Sequence, residues 1–357
     1  MLSSYLTIPQ VAYATIDVSL SERHDFPYYA SVMPNAETMA SLLPYYLQRD
    51  IWQRHYVAVL FELTDYGEQF EHPFEHASHI LDDFHTSVEH FVDGDAESID
   101  FAMESIKQSG YRTIVLISDK PSMIGEIAEV AVKKDMVGEG WFYMISGAAV
   151  PPALLQSWEF PIDSPTDKLL RGAAVFTNYD PFIYNGESDP FLKVWRNQNA
   201  SLVERVNRIQ PRQSDGEPFF MANASYFQLE TPSEYASYMY DAVMATGIGA
   251  CDALMAPEES IHKGDHIGSI LESRFTGASG TVSFVHDDDD DSHENIRDSK
   301  GPLYGIYNIR PAAATAGGDK RGYVQTVFSV GWYDSVVLLT YCCSLFLQVQ
   351  GCAHVSF

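Results

Sequence analysis

Three histidines and one glutamate are spaced so that they could share one face of a helix. The residues are His72, Glu75, His76 and His79. Separations of three and four residues place side chains over consecutive turns, and imidazole and carboxylate groups are common zinc ligands. The same spacing is typical of a solvated helix face. We expect this second interpretation to hold, and we expect no bound metal.

A run of five aspartates at positions 287–291 follows His286. Calcium loops space their ligands and use a glycine for the turn, and this run does neither, so we expect a surface insertion. The sequence contains no GxSxG, HExxH or P-loop motif, and Gly247-Ile248-Gly249 lies inside a helical pattern without a preceding strand. We therefore expect that the chain is not an enzyme and has no cofactor.

One polar loop directly follows a buried strand pattern. The five residues from Val57 to Phe61 are apolar and bounded by polar ones, which indicates a central strand of a parallel sheet covered on both faces. Ligands of such sheets bind beyond the carboxyl ends of the strands. Tyr66 lies in this loop and could offer a flat apolar face and a hydroxyl group to a small ligand.

Two serines end other strand patterns of the same kind. Ser118 follows Thr113–Ile117, and Ser146 follows Trp141–Ile145. Both serines could line the same cleft as Tyr66. Serines at strand ends are also common helix caps, so both interpretations stay open.

Helix and strand patterns alternate over residues 35–147, at the spacing of right-handed crossover units. A proline-rich break at 150–165 separates them from a second set of α/β patterns. That set begins with a strand at Gly172–Phe176 and has helices at Phe191–Arg208 and Pro232–Met255. Tyr304–Ile309 and Tyr323–Val330 then indicate a strand pair. The order predicts an α/β protein whose chain crosses between two lobes more than once.

The formal net charge of −27 argues against binding to nucleic acids or to anionic membranes, which need a basic surface. Two glycosylation sequons begin at Asn199 and Asn223. They are weak indications of a secreted glycoprotein.

Several stretches, in this order, resemble the receptor family ligand-binding region, which has the type I periplasmic-binding, or Venus-flytrap, fold. IPQVAYAT with VSLSERHDFPYYASVMPN is similar to the hinge-proximal segment, and WQRHYVAVLFELTDYGEQF is similar to the start of lobe II. Later parts of the same domain are similar to three further stretches, which are Tyr240–Val243, FTGASGTVSF and Tyr304–Asn308. The family includes extracellular domains of class C G-protein-coupled receptors and of natriuretic-peptide-type receptors.

The resemblance implies a two-lobed fold in which each lobe is a mostly parallel sheet flanked by helices. Family members carry further lobe I elements before the IPQ segment, so part of lobe I is expected to be missing. The implied divisions are a lobe I remnant at 1–33, lobe II at 34–147, a return to lobe I at 148–299, crossing strands of lobe II at 300–334 and an apolar tail at 335–357.

The implied function is ligand sensing by the extracellular region of a cell-surface receptor that signals through lobe closure. Alternatives are a soluble solute-binding protein of a transporter and a non-functional fragment. The implied ligand is an amino acid or another metabolite, held by Tyr13, Ala14 and Thr15 together with Tyr66, which matches the family's ligand-stacking tyrosine. The resemblance also allows a homodimer and a membrane-attached signalling segment.

The tail from Ser335 to Phe357 carries no acidic or basic side chain other than His354. Its apolar part is about 14 residues long, shorter than the roughly 20 that span a bilayer. Three interpretations stay open: a truncated membrane segment, a buried terminal strand, and read-through sequence unrelated to the fold.

Overall fold

The computed structural model describes residues 8–15, 17–21, 24–48, 52–150, 160–178, 182, 188–209, 222–233, 235–255, 266–284, 303–311, 320–321, 323–333 and 336–341. The strands are β1 Gln10–Ala12, β2 Tyr29–Ser31, β3 Tyr56–Glu62, β4 His85–Phe91, β5 Thr113–Ile117, β6 Phe142–Ser146, β7 Phe160–Pro161, β8 Ala174–Asn178, β9 Phe275–Gly277, β10 Gly280–Val282, β11 Leu303–Pro311, β12 Lys320–Arg321, β13 Tyr323–Tyr333 and β14 Val336–Tyr341. The helices are α1 Ala36–Gln48, α2 Asp65–Ile80, α3 Ala96–Ser109, α4 Met123–Lys133, α5 Pro165–Leu170, α6 Pro190–Arg196, α7 Ala200–Ile209, α8 Tyr226–Leu229, α9 Ala236–Met255 and α10 His266–Leu271, with a short 3-10 helix at Val18–Ser21.

The main sheet has eight strands in the order β4-β3-β5-β6-β8-β11-β13-β14. The first five strands run parallel to one another, and β11, β13 and β14 continue the sheet in antiparallel pairs. This mostly parallel sheet flanked by helices confirms the predicted α/β class. The strand pair predicted at Tyr304–Ile309 and Tyr323–Val330 is also confirmed, because Tyr304 pairs with Val330 in the β11–β13 register.

Strand β3 is buried on both faces, as its apolar run predicts. Val57, Val59 and Phe61 face helices α1 and α2 in one apolar cluster. Ala58 and Leu60 face helices α3 and α4 in another. The two clusters hold the parallel part of the sheet between two helical layers and thereby fix where its strands end.

A smaller unit is built from β1 and β2, which pair in parallel, together with α9, α10 and the β9–β10 hairpin. Its apolar cluster includes Val32, Tyr238, Ala245 and Ile270. Helix α9 approaches α10 closely at Gly249, where an added Cβ would lie 2.5 Å from the Ile270 side chain.

The structure differs from the sequence-based expectation in two places. The predicted single helix over Phe191–Arg208 is wrong, because the structure has two helices, α6 and α7, in its place. Between them the Asn199 side chain accepts a hydrogen bond from the Leu202 amide at 3.2 Å. Strand β8 lies within the segment 148–299 predicted as a return to lobe I, yet it pairs with β6 in the main sheet. The remaining lobe boundaries stay a prediction.

In the described part of the chain, no helix is both long enough and apolar enough to cross a membrane. Residues 336–341 form β14 at the edge of the main sheet. The rest of the apolar tail lies outside the described residues, and so does the aspartate run at 287–291.

Candidate functional site

The carboxyl ends of three parallel strands bring polar groups together at one edge of the main sheet. Ser118 follows β5, and Ser146 is the last residue of β6. The Ser118 amide donates a hydrogen bond to the Ser146 hydroxyl at 3.3 Å, and this hydroxyl donates to the Ser118 carbonyl at 2.6 Å. Both serines are buried. The structure thus places the two predicted serines in direct contact.

Glu62, the last residue of β3, lies at the centre of this edge and is fully buried. Its carboxylate accepts a hydrogen bond from the Ser118 hydroxyl at 2.5 Å and another from the Lys120 ammonium at 2.7 Å. A buried carboxylate is tolerated only when such partners compensate its lost hydration. The network therefore holds the strand ends in one arrangement.

Lys120 connects the buried carboxylate to the surface. Its ammonium also donates to Asp93 at 2.7 Å, and its backbone amide donates to the Ser118 hydroxyl at 3.0 Å. The hydrogen bonds to Asp93 and then to Glu62 raise the pKa of Lys120 above its ordinary value. Two carboxylates share this one cation, so the site carries a net negative charge.

Tyr66 stands in the first turn of helix α2. Thr64 caps the helix by accepting a hydrogen bond from the Gly67 amide at 3.3 Å. Gly67 is required here because an added Cβ would lie 2.0 Å from the Glu62 carbonyl oxygen. The close contact between the helix start and the end of β3 places Tyr66 beside the strand ends.

The ring of Tyr66 is packed in the core beside Phe70, with a centroid distance of 6.2 Å, and only 8% of the residue is exposed. In this arrangement the residue offers little of the flat face that the sequence suggested. Its hydroxyl is buried and makes no hydrogen bond of normal geometry with the described residues. Burial raises the pKa of Tyr66, and the nearby Ser146 hydroxyl offsets part of that rise.

The segment Tyr13–Thr15 follows β1 in the smaller unit. Tyr13 and Ala14 are exposed and Thr15 is half-buried. Just beyond this segment, Asp17 accepts a hydrogen bond from the Gln69 side chain at 2.9 Å. Because Gln69 lies one turn after Tyr66, this bond joins the segment that follows Thr15 to helix α2.

Glu62, Asp93 and Lys120 were not predicted from the sequence. A signal for Glu62 was present, since a charged residue ends a strand that is otherwise apolar. Its partners follow other strands, 56 and 58 residues further along the chain, and no local pattern joins them.

Other candidate residues lie elsewhere. His72, His76 and His79 are exposed on α2 and Glu75 is half-buried, and within the described ranges no group of three or more His, Cys, Asp or Glu could hold a metal ion. Asn199 and Asn223 are exposed, and each side chain accepts a backbone hydrogen bond. Glycosylation at these two positions stays a prediction.

A mostly parallel sheet with helices on both faces and buried polar groups at its strand ends is the architecture of a periplasmic-binding-like domain. The family model for the receptor family ligand-binding region matches residues 1–296. The match covers more than half of the chain, and the chain therefore belongs to this family.

One relative is the human extracellular calcium-sensing receptor. The two sequences are 28% identical over 138 residues, which is 38% of this chain. The aligned stretch is 12% of the length of the receptor, so this chain corresponds to a small part of that protein.

Proposed function

We propose that the chain is the ligand-sensing extracellular region of a cell-surface receptor and that a small molecule binds beside the strand ends at Tyr66, Ser118 and Ser146. The observation that carries the proposal is the group of buried polar side chains at these strand ends, where Ser118 and Ser146 are in direct contact and Tyr66 lies beside Ser146. Ligands of parallel sheets bind beyond the carboxyl ends of the strands. The Tyr66 hydroxyl would donate to an acceptor of the ligand.

The hydrogen-bonding capacity of the site limits the chemistry of the ligand. Each serine hydroxyl already donates its proton within the protein, which leaves Tyr66 as a donor. The Lys120 ammonium has three protons, and two of them are used by Glu62 and Asp93. The ligand should therefore present an acceptor such as a carbonyl or carboxylate. Because the site is already net negative, a neutral or zwitterionic molecule fits better than a multivalent anion.

Tyr13, Ala14 and Thr15 would contact the same ligand from the smaller unit. The bond between Asp17 and Gln69 supports a close approach of this segment to helix α2. A ligand that contacts both units would favour the closed arrangement by its differential affinity for the two states. Lobe closure is in this proposal the signal that the receptor transmits.

The related human receptor is named for sensing extracellular calcium. Ca²⁺ prefers six to eight oxygen ligands, and the described residues contain no metal-capable group of side chains. We therefore favour a small organic ligand, and Ca²⁺ serves as a comparison in the test.

Thermal unfolding of the full chain against a panel of amino acids and small metabolites, with CaCl₂ in parallel, tests the proposal. A ligand at about 100 times its Kd should stabilise the protein by about 2.7 kcal/mol, which raises Tm by several degrees. Stabilisation by an organic compound supports the proposal. Stabilisation by CaCl₂ alone, or by nothing in the panel, argues against it.

A further inference from the structure

An apolar cavity of about 480 Å³ lies among helices α6, α7, α8 and α9 and the β9–β10 hairpin. Four aromatic residues line it, which are Phe191, Trp195, Phe227 and Tyr240. Its volume is within the range of small-molecule sites, roughly 300–1,000 Å³. None of the strand-end residues around Tyr66 lines this cavity, so it is a separate site.

The residues that line the cavity are all uncharged, and lysine, arginine, histidine, aspartate and glutamate are absent from this lining. The chain as a whole has a formal charge of −27. Gln198 and Thr276 add polar side chains to the wall, and Tyr240 adds a hydroxyl group. An apolar wall with a few polar groups is typical of sites for small organic ligands. A charged ligand would lose hydration here without meeting an opposite charge in the lining.

Contacts between the aromatic rings join three of the helices around the cavity. The centroid of the Phe191 ring in α6 lies 5.6 Å from that of Tyr240 in α9, in an edge-to-face arrangement. The Trp195 ring contacts Phe227 of α8 in the same way, at 4.8 Å. Edge-to-face pairs at these distances are favourable, and the rings therefore hold one another in place.

Hydrogen bonds also fix the wall that α6 and α8 form. The Trp195 indole N–H donates to the Glu230 carbonyl at 2.9 Å. The Gln228 side-chain amide donates to the Gln198 carbonyl at 2.6 Å. Both bonds join the end of α6 to the segment around α8, so this wall is formed before any ligand arrives.

The wall that the β9–β10 hairpin forms is tied to α9 by Asp241. This buried carboxylate accepts hydrogen bonds from the Ala278 amide at 2.6 Å and the Ser279 amide at 3.0 Å. An added Cβ at Gly277 would lie 2.1 Å from the carboxylate, so the hairpin packs directly on the helix. A preformed site binds more tightly because little has to be ordered on binding.

We propose that this cavity binds a small neutral aromatic molecule. Val194 and Tyr240 line it and are 62% and 44% exposed, and a bound ring would remove part of this apolar surface from water. The polar groups of Gln198, Thr276 and Tyr240 could bind a hydroxyl or carbonyl group on such a ring. The site does not depend on the ligand proposed at Tyr66.

Titration of the full chain with para-fluorobenzyl alcohol, followed by the ¹⁹F NMR line width, tests this proposal. The wild-type protein should show saturable binding. The anion para-fluorobenzoate should bind about tenfold or more weakly, because the lining offers no opposite charge. Val194→Glu should weaken binding of the alcohol by about tenfold or more, since it places a charge in the apolar wall. Tyr240→Ala should weaken it by about threefold to tenfold through the loss of one ring.

Each variant has a matched control outside the cavity lining. Val243 is an exposed valine on α9, and Phe101 is an exposed aromatic residue on α3. Val243→Glu and Phe101→Ala should bind the alcohol as the wild type does. Circular dichroism establishes that each variant is folded. The proposal is overturned if the wild type shows no saturation, if the benzoate binds as tightly as the alcohol, or if folded Val194→Glu and Tyr240→Ala bind no more weakly than their controls.

Discussion

The fully buried carboxylate of Glu62 accepts a hydrogen bond of 2.7 Å from the ammonium of Lys120, 58 residues further along the chain. This pair joins the end of β3 to the loop after β5. It also carries the only charge compensation that the described structure provides within hydrogen-bonding distance of Glu62. The arrangement of the strand ends at the candidate site therefore depends on the Glu62–Lys120 ion pair.

The first prediction concerns this pair. Lys120→Gln should lower Tm clearly, because Glu62 would remain buried with a neutral partner in place of the cation. The double variant Glu62→Gln/Lys120→Gln should recover part of the loss, since it removes the uncompensated charge. Thermal unfolding of the single and double variants measures the coupling.

Lys133→Gln is the control for the loss of a lysine. Lys133 lies 3.1 Å from Asp100 and its side chain is 74% exposed, and exposed ion pairs contribute little to stability. Equal losses of Tm for Lys120→Gln and Lys133→Gln would show that the buried carboxylate does not need its cation.

The second prediction concerns the contact between β3 and helix α2. Gly67→Ala should destabilise the protein by about 3 kcal/mol, because the new Cβ would lie 2.0 Å from the Glu62 carbonyl oxygen. Chemical denaturation measures the change. Gly125→Ala in α4 is the matched control, because no atom outside its chain neighbours and the backbone of its own helix lies within 4 Å of the added Cβ. It should stabilise the protein by about 0.5–1 kcal/mol, and a similar gain for Gly67→Ala would contradict the packing described.

The third prediction concerns Asp241 in helix α9. This buried carboxylate accepts hydrogen bonds from the Ala278 amide at 2.6 Å and the Ser279 amide at 3.0 Å. Asp241→Asn should cost about 1.5–3 kcal/mol, because the amide cannot accept from both donors with the strength of a carboxylate. Denaturation of this variant should be compared with that of Asp252→Asn, an exposed position on the same helix. Equal stability of the two variants would contradict the role of Asp241.

The fourth prediction concerns alkaline pH. Burial raises the pKa of Tyr46 from 10.0 to about 12. The unfolded chain releases this proton near pH 10, and the folded protein keeps it until about pH 12. The free energy of unfolding is therefore unaffected by this titration below pH 10 and falls as the pH rises from 10 to 12. Tyr46→Phe should show a shallower fall in the free energy of unfolding over this range. An unchanged slope would contradict the assignment to Tyr46.

The sequence predicted the local elements well where apolar patterns were strong. The run Val57–Phe61 forms a fully buried strand, and Gly110 ends helix α3 in the left-handed conformation with φ 78°, as expected of a C-terminal glycine. Ser118 and Ser146 are in direct contact because parallel strands place their carboxyl ends at one edge, and their role in a ligand site stays a prediction.

Other features were not local and could not be predicted. The position of β8 beside β6 follows from the order of strands in the sheet, which the pattern of a single strand does not encode. The partners of Glu62 are more than 50 residues away in sequence. The break between α6 and α7 depends on Asn197 and Asn199, where side-chain and turn hydrogen bonds compete with the helix.

The most direct test of ligand sensing is calorimetric titration of Tyr66→Phe and Tyr143→Phe with the organic compound that stabilises the wild type most. Tyr143 is also buried, and its hydroxyl donates to the Met136 carbonyl at 2.8 Å. Tyr143→Phe should lose about 1 kcal/mol of stability and keep its affinity for the compound. Tyr66→Phe should keep its stability and bind about tenfold or more weakly. Equal affinities of the two variants would contradict a ligand site at Tyr66.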